Sequence, residues 1–370
     1  MRDPTLLAKN HSIKVCKYIK DKIKIQGGSI SFAEFMQAAL YAPNLGYYYA
    51  GCEKFGKMGD FITAPMIGSL FAACVFNQCV KLIHSMSISS SILELGAGDG
   101  QLASKLIELL INNSLFTNYF ILEPSYELRQ RQKKLLLNKF EDNHKHKIVW
   151  LDTLPTHFNG IILANEVLDA LPVELFTIKD CDIFEKRVQI LNNKFVFTET
   201  PASEELTNHI ATLPLDINNY KDNMYSSEVC LLISGLIKSL SITIQQGAVL
   251  LFDYGFLAQE YYHPDRSLGT LMCHYQHYAH TDPFFFPGLQ DITAHVNFSL
   301  VMHNAIKNNL EVSEFCSMAN FLINNNLQAE IDKITFNNIS EQIKLNQELH
   351  TLISPQEMGE IFKVLLLIKK

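Results

Sequence analysis

Residues 91 to 100, Ser91-Ile92-Leu93-Glu94-Leu95-Gly96-Ala97-Gly98-Asp99-Gly100, constrain this chain more than any other stretch. Ile92, Leu93 and Leu95 form a short apolar run that ends in alternating glycines, and a periodic segment, Gln101 to Asn112, follows directly. Strand, tight turn and helix in that order predict the opening unit of a dinucleotide-type α/β fold. Glycine has no Cβ, so the backbone can turn sharply and come close to a ligand. The loop carries Glu94 and Asp99 but no lysine. A phosphate cradle needs the opposite charge, the P-loop lysine is missing, and Gln101 stands where the dinucleotide fingerprint needs a glycine. The loop therefore suits a cofactor with positive charge and no phosphate. S-adenosylmethionine, with its sulfonium and amino groups, has that chemistry. A glycine-rich loop can also be a plain strand-to-helix turn, so the residues after Gly100 decide between the two.

Further apolar runs also end in acids. Tyr119 to Leu122 is followed by Glu123, Ile148 to Leu151 by Asp152, and Gly160 to Asn165 by Glu166. Ligands of open α/β sheets bind outside the carboxyl ends of parallel strands, and an acid after the second strand accepts hydrogen bonds from ribose hydroxyls. Glu123 has that place. The expected cofactor residues are Glu94, Gly96, Gly98, Gly100, Glu123, Leu151, Asp152 and Asn165, joined by Asp60 and Thr63 from the segment before the glycine loop. Gly247 to Gly255 reads as a fifth buried strand carrying Asp253 and Tyr254 near its end. Leu310 to Phe315 and Phe362 to Ile368 read as the last two, which makes a mostly parallel seven-stranded sheet.

Residues 11 to 25 read as a helix whose lysines form a solvated face. Ser31 and Glu34 have capping-box spacing and open a helix to Tyr41. Residues 44 to 65 hold three consecutive tyrosines, Tyr47 to Tyr49, and end in Gly59-Asp60-Phe61-Ile62-Thr63-Ala64-Pro65. Such density of glycine and aromatics predicts a lid over cofactor and substrate. An apolar helix over 66 to 84 leads into the central strand. Residues 174 to 225 lose the pattern and read as an inserted cover with short strand-like pieces, followed by a helix from Ser227 to Ile242. Farther on, His274, His277 and His280 are spaced by three. That segment is not convincingly helical, so a groove lined with polar loop histidines is preferred to a metal site. Pro287 to Val296 reads as a loop that starts a helix. The expected organisation is a helical and lid segment over 1–85, a first Rossmann-like part over 86–173, an insertion over 174–246, and a second part over 247–370 with a substrate-side loop at 256–292. Tyr48, Asp253, Tyr254, His274 and His277 are the expected substrate-side residues.

The 370 residues carry a net charge of −7, with a pI near 6.0, which argues against a nucleic-acid backbone as the main partner. No apolar run reaches the roughly 18 residues of a membrane span. Eight cysteines without a Cys-x-x-Cys pair suit a reducing compartment. The N-terminal residues lack a secretory core and make a poor transit peptide, so a cytoplasmic location is expected, with the mitochondrial matrix as alternative. A homodimer is compatible with all of this.

Longer motifs add to the glycine loop: Gly46-Tyr47-Tyr48, the segment Gly59 to Pro65, Leu163-Ala164-Asn165-Glu166-Val167-Leu168-Asp169-Ala170-Leu171-Pro172, Asp253-Tyr254-Gly255, Tyr261-Tyr262-His263-Pro264, Gly269 to Cys273, Pro287 to Thr293 and Met358-Gly359-Glu360. Together they resemble the MidA-like methyltransferases nearly end to end. The resemblance implies a class I S-adenosylmethionine fold with an inserted subdomain. It also implies methylation of a protein, with arginine the acceptor attributed to the mitochondrial members, which are complex I assembly factors. The histidine run belongs to that pattern without a metal. Met66 departs from it, standing where the family has an acid after the proline.

A guanidinium is a poor nucleophile and must be held by carboxylates that keep its charge away from the attacking nitrogen. Glu166 and Asp169, with Asn165, sit just after the fourth strand, and a helical turn there would put both acids on one face. They are the expected catalytic residues. The alternative is a cofactor-binding assembly or scaffold protein with little turnover. Gln101 disfavours a nicotinamide dehydrogenase. The stretch Asn165 to Leu168 lacks the Asn/Asp-Pro-Pro-Tyr element of nucleic-acid amino-methyltransferases.

Overall fold

The structure is a computed structural model that describes residues 3–49, 64, 68–335 and 338–370. Its strands, numbered in chain order, are β1 (Ser29–Ser31), β2 (Ile92–Leu95), β3 (Tyr119–Leu122), β4 (Ile148–Leu151), β5 (Phe158–Asn165), β6 (Glu174–Lys179), β7 (Asp182–Leu191), β8 (Lys194–Pro201), β9 (Tyr225–Val229), β10 (Ile244–Phe256), β11 (Met272–Tyr275), β12 (Tyr278–His280), β13 (Asp291–Thr293), β14 (Val296–Asn297), β15 (Glu311–Ser317) and β16 (Phe362–Lys369). The chain forms two compact units, each built from several segments. One comprises residues 62–167, 236–255 and 301–370, and the other 1–61, 168–235 and 256–300.

The first unit holds a sheet in the order β15-β16-β10-β5-β2-β3-β4. Strands β10, β5, β2, β3 and β4 pair in parallel, while β16 runs antiparallel to both β10 and β15. Parallel strands covered on both faces need near-continuous apolar runs. Accordingly β2 is buried throughout, and Ile161 to Ala164 of β5 and Ala248 to Phe252 of β10 are almost fully buried. The strand order reverses between β2 and β5: β3 and β4 lie to one side of β2, β5 to the other. That reversal is a topological switch point, where open α/β sheets bind their ligands. The helices Leu70–Met86 and Gln101–Asn112 bury Phe71, Val75, Leu106 and Leu110 in the same core as Ile92, Ile121 and Leu250.

The second unit is antiparallel. Its larger sheet runs β1-β7-β6-β9, with β8 also on β7, and a small sheet runs β12-β11-β13. Helix Leu6–Ile25 buries Val15, Ile19 and Ile23, four residues apart, and leaves Lys14, Lys17 and Lys24 exposed. Both bonds of the Ser31–Glu34 capping box are present at the start of helix Phe32–Tyr41. Three sequence expectations need correction. Residues 174 to 201 form three regular strands, β6, β7 and β8, in place of the short strand-like pieces expected. The helix expected from Ser227 begins only at Leu232, because Tyr225 to Val229 form β9 against β6. Pro287 to Val296 leads into β13 and β14, and the helix begins at Phe298.

Candidate active site

The glycine loop after β2 holds its backbone where side chains are disfavoured. Gly96, Gly98 and Gly100 have φ of +61°, +54° and +86°. A Cβ on Gly100 would sit 3.3 Å from the Cγ of Gln132, so the Gln132 side chain lies against the loop and would have to shift to admit another. Asp99 accepts the Gln101 N–H, which starts the next helix.

Glu94 lies inside the sheet. It is 3% exposed and accepts a 2.7 Å hydrogen bond from the Tyr119 hydroxyl of β3. Burial pushes its carboxyl up to about 7, against the opposing effect of the Tyr119 bond. Glu123, at the end of β3, is also 3% exposed. Its Oε1 accepts the Ser125 N–H at 2.9 Å and its Oε2 accepts Gln132 Nε2 at 3.2 Å. Arg129, one turn before Gln132 on helix Tyr126–Lys139, ties the ends of β3 and β4 together. It donates to the main-chain oxygens of Glu123 and Leu151 and to the Asp152 carboxylate, the last at 2.7 Å. The Asp152 side chain is 88% exposed and Leu151 contributes its carbonyl, so both lie at the sheet's ligand edge through Arg129.

Asn165 and Glu166 end β5 on the other side of the switch point. Glu166 is non-glycine yet has φ +52°, a strained left-handed backbone. Its N–H bonds to the Phe252 oxygen of β10. Its two carboxylate oxygens accept from Asn165 Nδ2 and from the Tyr254 hydroxyl, each at 3.0 Å. The Tyr254 ring is set edge-on to Phe362 at 4.5 Å. Asp253 is fully buried and accepts the N–H of Tyr254. No helical turn joins Glu166 to Asp169: the chain bends after the left-handed Glu166, and a turn closed by the Leu171 N–H on the Leu168 oxygen begins only at Leu168. The shared face expected for Glu166 and Asp169 is therefore absent, and the two belong to different compact units.

Asp169 belongs with other expected residues in the antiparallel unit. Its main-chain oxygen accepts the Ala294 N–H, which follows β13. The Tyr48 hydroxyl bonds to both carboxylate oxygens of Asp291 at 3.0 Å, and its ring stacks on Tyr41 at 5.3 Å. Burial, reinforced by Asp291, Tyr41 and Asp169, holds the Tyr48 hydroxyl well above its usual range. His274 stands opposite Asp291 in the β11–β13 register. Burial lowers the His274 imidazole, with His280 adding to the effect. His277 is instead at the tip of the β11–β12 hairpin with φ +65°. The three histidines fall at different places in this hairpin: His274 pairs with Ala279, His280 pairs with Cys273, and His277 lies in the two-residue turn between Tyr275 and Tyr278. Among the described residues no cluster of His, Cys, Asp or Glu is arranged to hold a metal. Asp60 and Thr63, with most of the expected lid, lie outside the described residues.

Sequence reasoning missed Arg129, Gln132, Trp150 and Asp291. For the first two a signal existed. Residues three apart share a helix face, and this pair lies on the helix that directly follows Glu123-Pro124-Ser125.

Residues 74–316 match the model of a family of S-adenosyl-L-methionine-dependent methyltransferases. The chain belongs to that family. A crystal structure of a Burkholderia thailandensis protein bound to S-adenosyl-homocysteine is 34% identical, with a TM-score of 0.93, and the match covers 100% of this chain and 95% of that one. The zebrafish (Danio rerio) protein arginine methyltransferase NDUFAF7, mitochondrial, is 28% identical over 94% of this chain and 85% of its own length. Its human (Homo sapiens) counterpart is 25% identical over 98% of this chain and 85% of its own length. The family is the MidA-like one, the fold is the class I methyltransferase fold, and the cofactor is S-adenosyl-L-methionine. The site chemistry fits that cofactor. The loop is free of cations, its glycines keep side chains out, and a buried carboxylate oriented by two donors suits a diol.

Proposed function

We propose that this methyltransferase modifies an arginine of a protein acceptor, with Glu166 as the residue that holds the guanidinium. The observation that carries the reading is the treatment of Glu166 at the end of β5. A left-handed backbone costs energy that surrounding structure must offset, and here both carboxylate oxygens are also fixed, by Asn165 and Tyr254. The names of the animal relatives support arginine as acceptor.

Bound S-adenosyl-L-methionine supplies an electrophilic methyl group. In this reading Gly96, Gly98 and Gly100 give it backbone access, Glu123 accepts its ribose hydroxyls, and Glu94, Leu151, Asp152 and Asn165, with Asp60 and Thr63, complete its surroundings. A guanidinium stays protonated up to a pKa above about 12, so one nitrogen must be held in line at roughly 3–3.5 Å to react. Glu166 pairs with the other nitrogens and draws the positive charge toward them. Tyr254 keeps the carboxylate in one orientation. Asp169, the other acid of this motif, is not held to Glu166 by a common helical face, so its part in this step has to be tested separately, by Asp169→Asn in the same transfer assay. Tyr48 and His274, gathered around Asp291, remain the choice for contacts with the acceptor chain, and His277 for its outer margin.

All seven cysteines among the described residues are free, in keeping with a reducing compartment. The zebrafish and human relatives are mitochondrial, and nothing in them supports the cytoplasmic expectation. No helix among the described residues is long and apolar enough to cross a membrane.

The test uses cofactor labelled in its methyl group and a host extract, with the labelled protein and residue identified by mass spectrometry. Glu166→Gln should keep affinity for S-adenosyl-homocysteine and lose most single-turnover transfer to that protein. Transfer at the wild-type rate, or a label on a residue other than arginine, would refute the reading.

A further inference from the structure

We propose that Gln132 is a positioning residue that sets how strongly this enzyme depends on the ribose hydroxyls of its cofactor. The proposal rests on the reading of Glu123 as the ribose acceptor and extends it. Gln132 is fully buried on helix Tyr126–Lys139, beneath the glycine loop. Its Nε2 donates both to the Gly98 oxygen at 2.9 Å and to Glu123 Oε2 at 3.2 Å, and its Oε1 accepts from Trp150 Nε1 at 2.9 Å.

The amide can point only one way. An indole N–H can only donate, so it requires the oxygen of Gln132. A carbonyl and a carboxylate can only accept, so they require the nitrogen. One acceptor and two donors at this reach describe glutamine and no other side chain: glutamate and methionine lack the donors, lysine and arginine lack the acceptor. The same nitrogen therefore fixes the glycine loop and the Glu123 carboxylate relative to each other. The Ser125 N–H fixes the other carboxylate oxygen at 2.9 Å, so both ends of the carboxylate are oriented before any ligand arrives. A carboxylate held this way meets a diol without reorganisation, and preorganisation of this kind shows as affinity. A residue that merely filled space under the loop would support every ligand equally. Gln132 acts through Glu123, so its effect should follow the hydroxyls.

The experiment titrates S-adenosyl-homocysteine and its 2′,3′-dideoxy analogue calorimetrically into wild type, Gln132→Met and Gln132→Leu. Both variants are apolar and close to glutamine in size, so neither sets a second charge beside the buried Glu123 carboxylate, and binding of the dideoxy analogue reports whether each keeps its fold. Trp150 is the only tryptophan, so its emission reports the local packing in each variant. Wild type should favour the hydroxylated ligand by roughly tenfold or more, the order expected of hydrogen bonds to a charged group. Both variants should lose roughly tenfold for S-adenosyl-homocysteine but less than about twofold for the dideoxy analogue, a coupling of the kind that a double-mutant cycle reads. Equal losses for both ligands would overturn the proposal and leave Gln132 a packing residue. Wild type that binds both ligands alike would overturn the Glu123 reading itself, and that result is visible before any variant is made.

Discussion

Glu94 lies within β2 and Glu123 directly follows β3, and their surroundings give the two acids different properties. Glu94 is sealed in the sheet against Tyr119, and its carboxyl is raised from 4.5 to about 7. A carboxyl raised on folding binds its proton more tightly in the folded state. Stability is then greatest below the unfolded value, near pH 4.5, and falls as pH climbs to about 7. A tenfold change in proton affinity is worth about 1.36 kcal/mol, so the loss is roughly 2–4 kcal/mol. Glu94→Gln cannot ionise, so relative to wild type it should gain about that much between pH 5 and pH 8. Urea unfolding followed by Trp150 emission, without added cofactor, measures it, and an unchanged difference between the two proteins at both pH values would contradict the ionisation argument. Glu123, oriented by Ser125 and Gln132, should behave as a binding residue. Glu123→Ala removes a charged acceptor and should weaken S-adenosyl-homocysteine by about 1.5–3 kcal/mol, read by calorimetry with the fold checked by circular dichroism. The acids were legible in the sequence because each comes after an apolar run that could only be a strand. The roles of Arg129, Gln132 and Asp291 were not, even where a shared helix face marked the first two, because they depend on partners distant in the chain: Gly98, Trp150, Leu151 and Tyr48.

At the scale of elements, the parallel strands could be read almost to the residue, while the antiparallel insertion could not. Strands β2, β5 and β10 are buried on both faces, so sequence shows an unbroken apolar run. Strands β7 and β8 are mostly half-buried, and an alternation with little contrast between faces gives a weak signal. Their turns were also disguised. The hairpins β6–β7, β7–β8 and β11–β12 each close through two residues with positive φ: Asp180-Cys181, Asn192-Asn193 and Gln276-His277. That is the type I′ geometry that matches strand twist, but none of the three pairs contains the glycine that usually marks it. Cys181, at φ +63°, carries a Cβ where the left-handed region costs a side chain about 1–2 kcal/mol. Cys181→Gly relieves that strain but adds about 0.4–1 kcal/mol of unfolded-chain entropy. The net expectation is a stabilisation of roughly 0.5–1 kcal/mol, seen as a higher urea midpoint for the antiparallel unit. A lower midpoint would show that the Cys181 side chain contributes contacts worth more than its strain.

At the scale of the whole molecule, the sequence boundaries at 85, 173 and 246 treat the chain as consecutive pieces, whereas the compact units interleave, each collecting separate stretches. No periodicity in a single stretch can reveal which distant stretch completes its core. Phe35 shares a core with Cys273 and Ile292, and Phe71 with Leu250 and Leu322. The residues proposed for the cofactor, among those described, all lie in the parallel unit. Ligand binding at about one hundred times Kd stabilises what it binds by about 2.7 kcal/mol. If the two cores open as separate cooperative units, that stabilisation belongs to the parallel unit alone. Amide hydrogen exchange with saturating S-adenosyl-homocysteine should therefore slow in β2, β3 and β5 and stay unchanged in β6, β7 and β8. Slowing in all six strands by the same factor would mean that the interleaved chain unfolds as a single cooperative body. Slowing confined to β6–β8 would place the cofactor in the antiparallel unit and remove Glu123 and the glycine loop from its site.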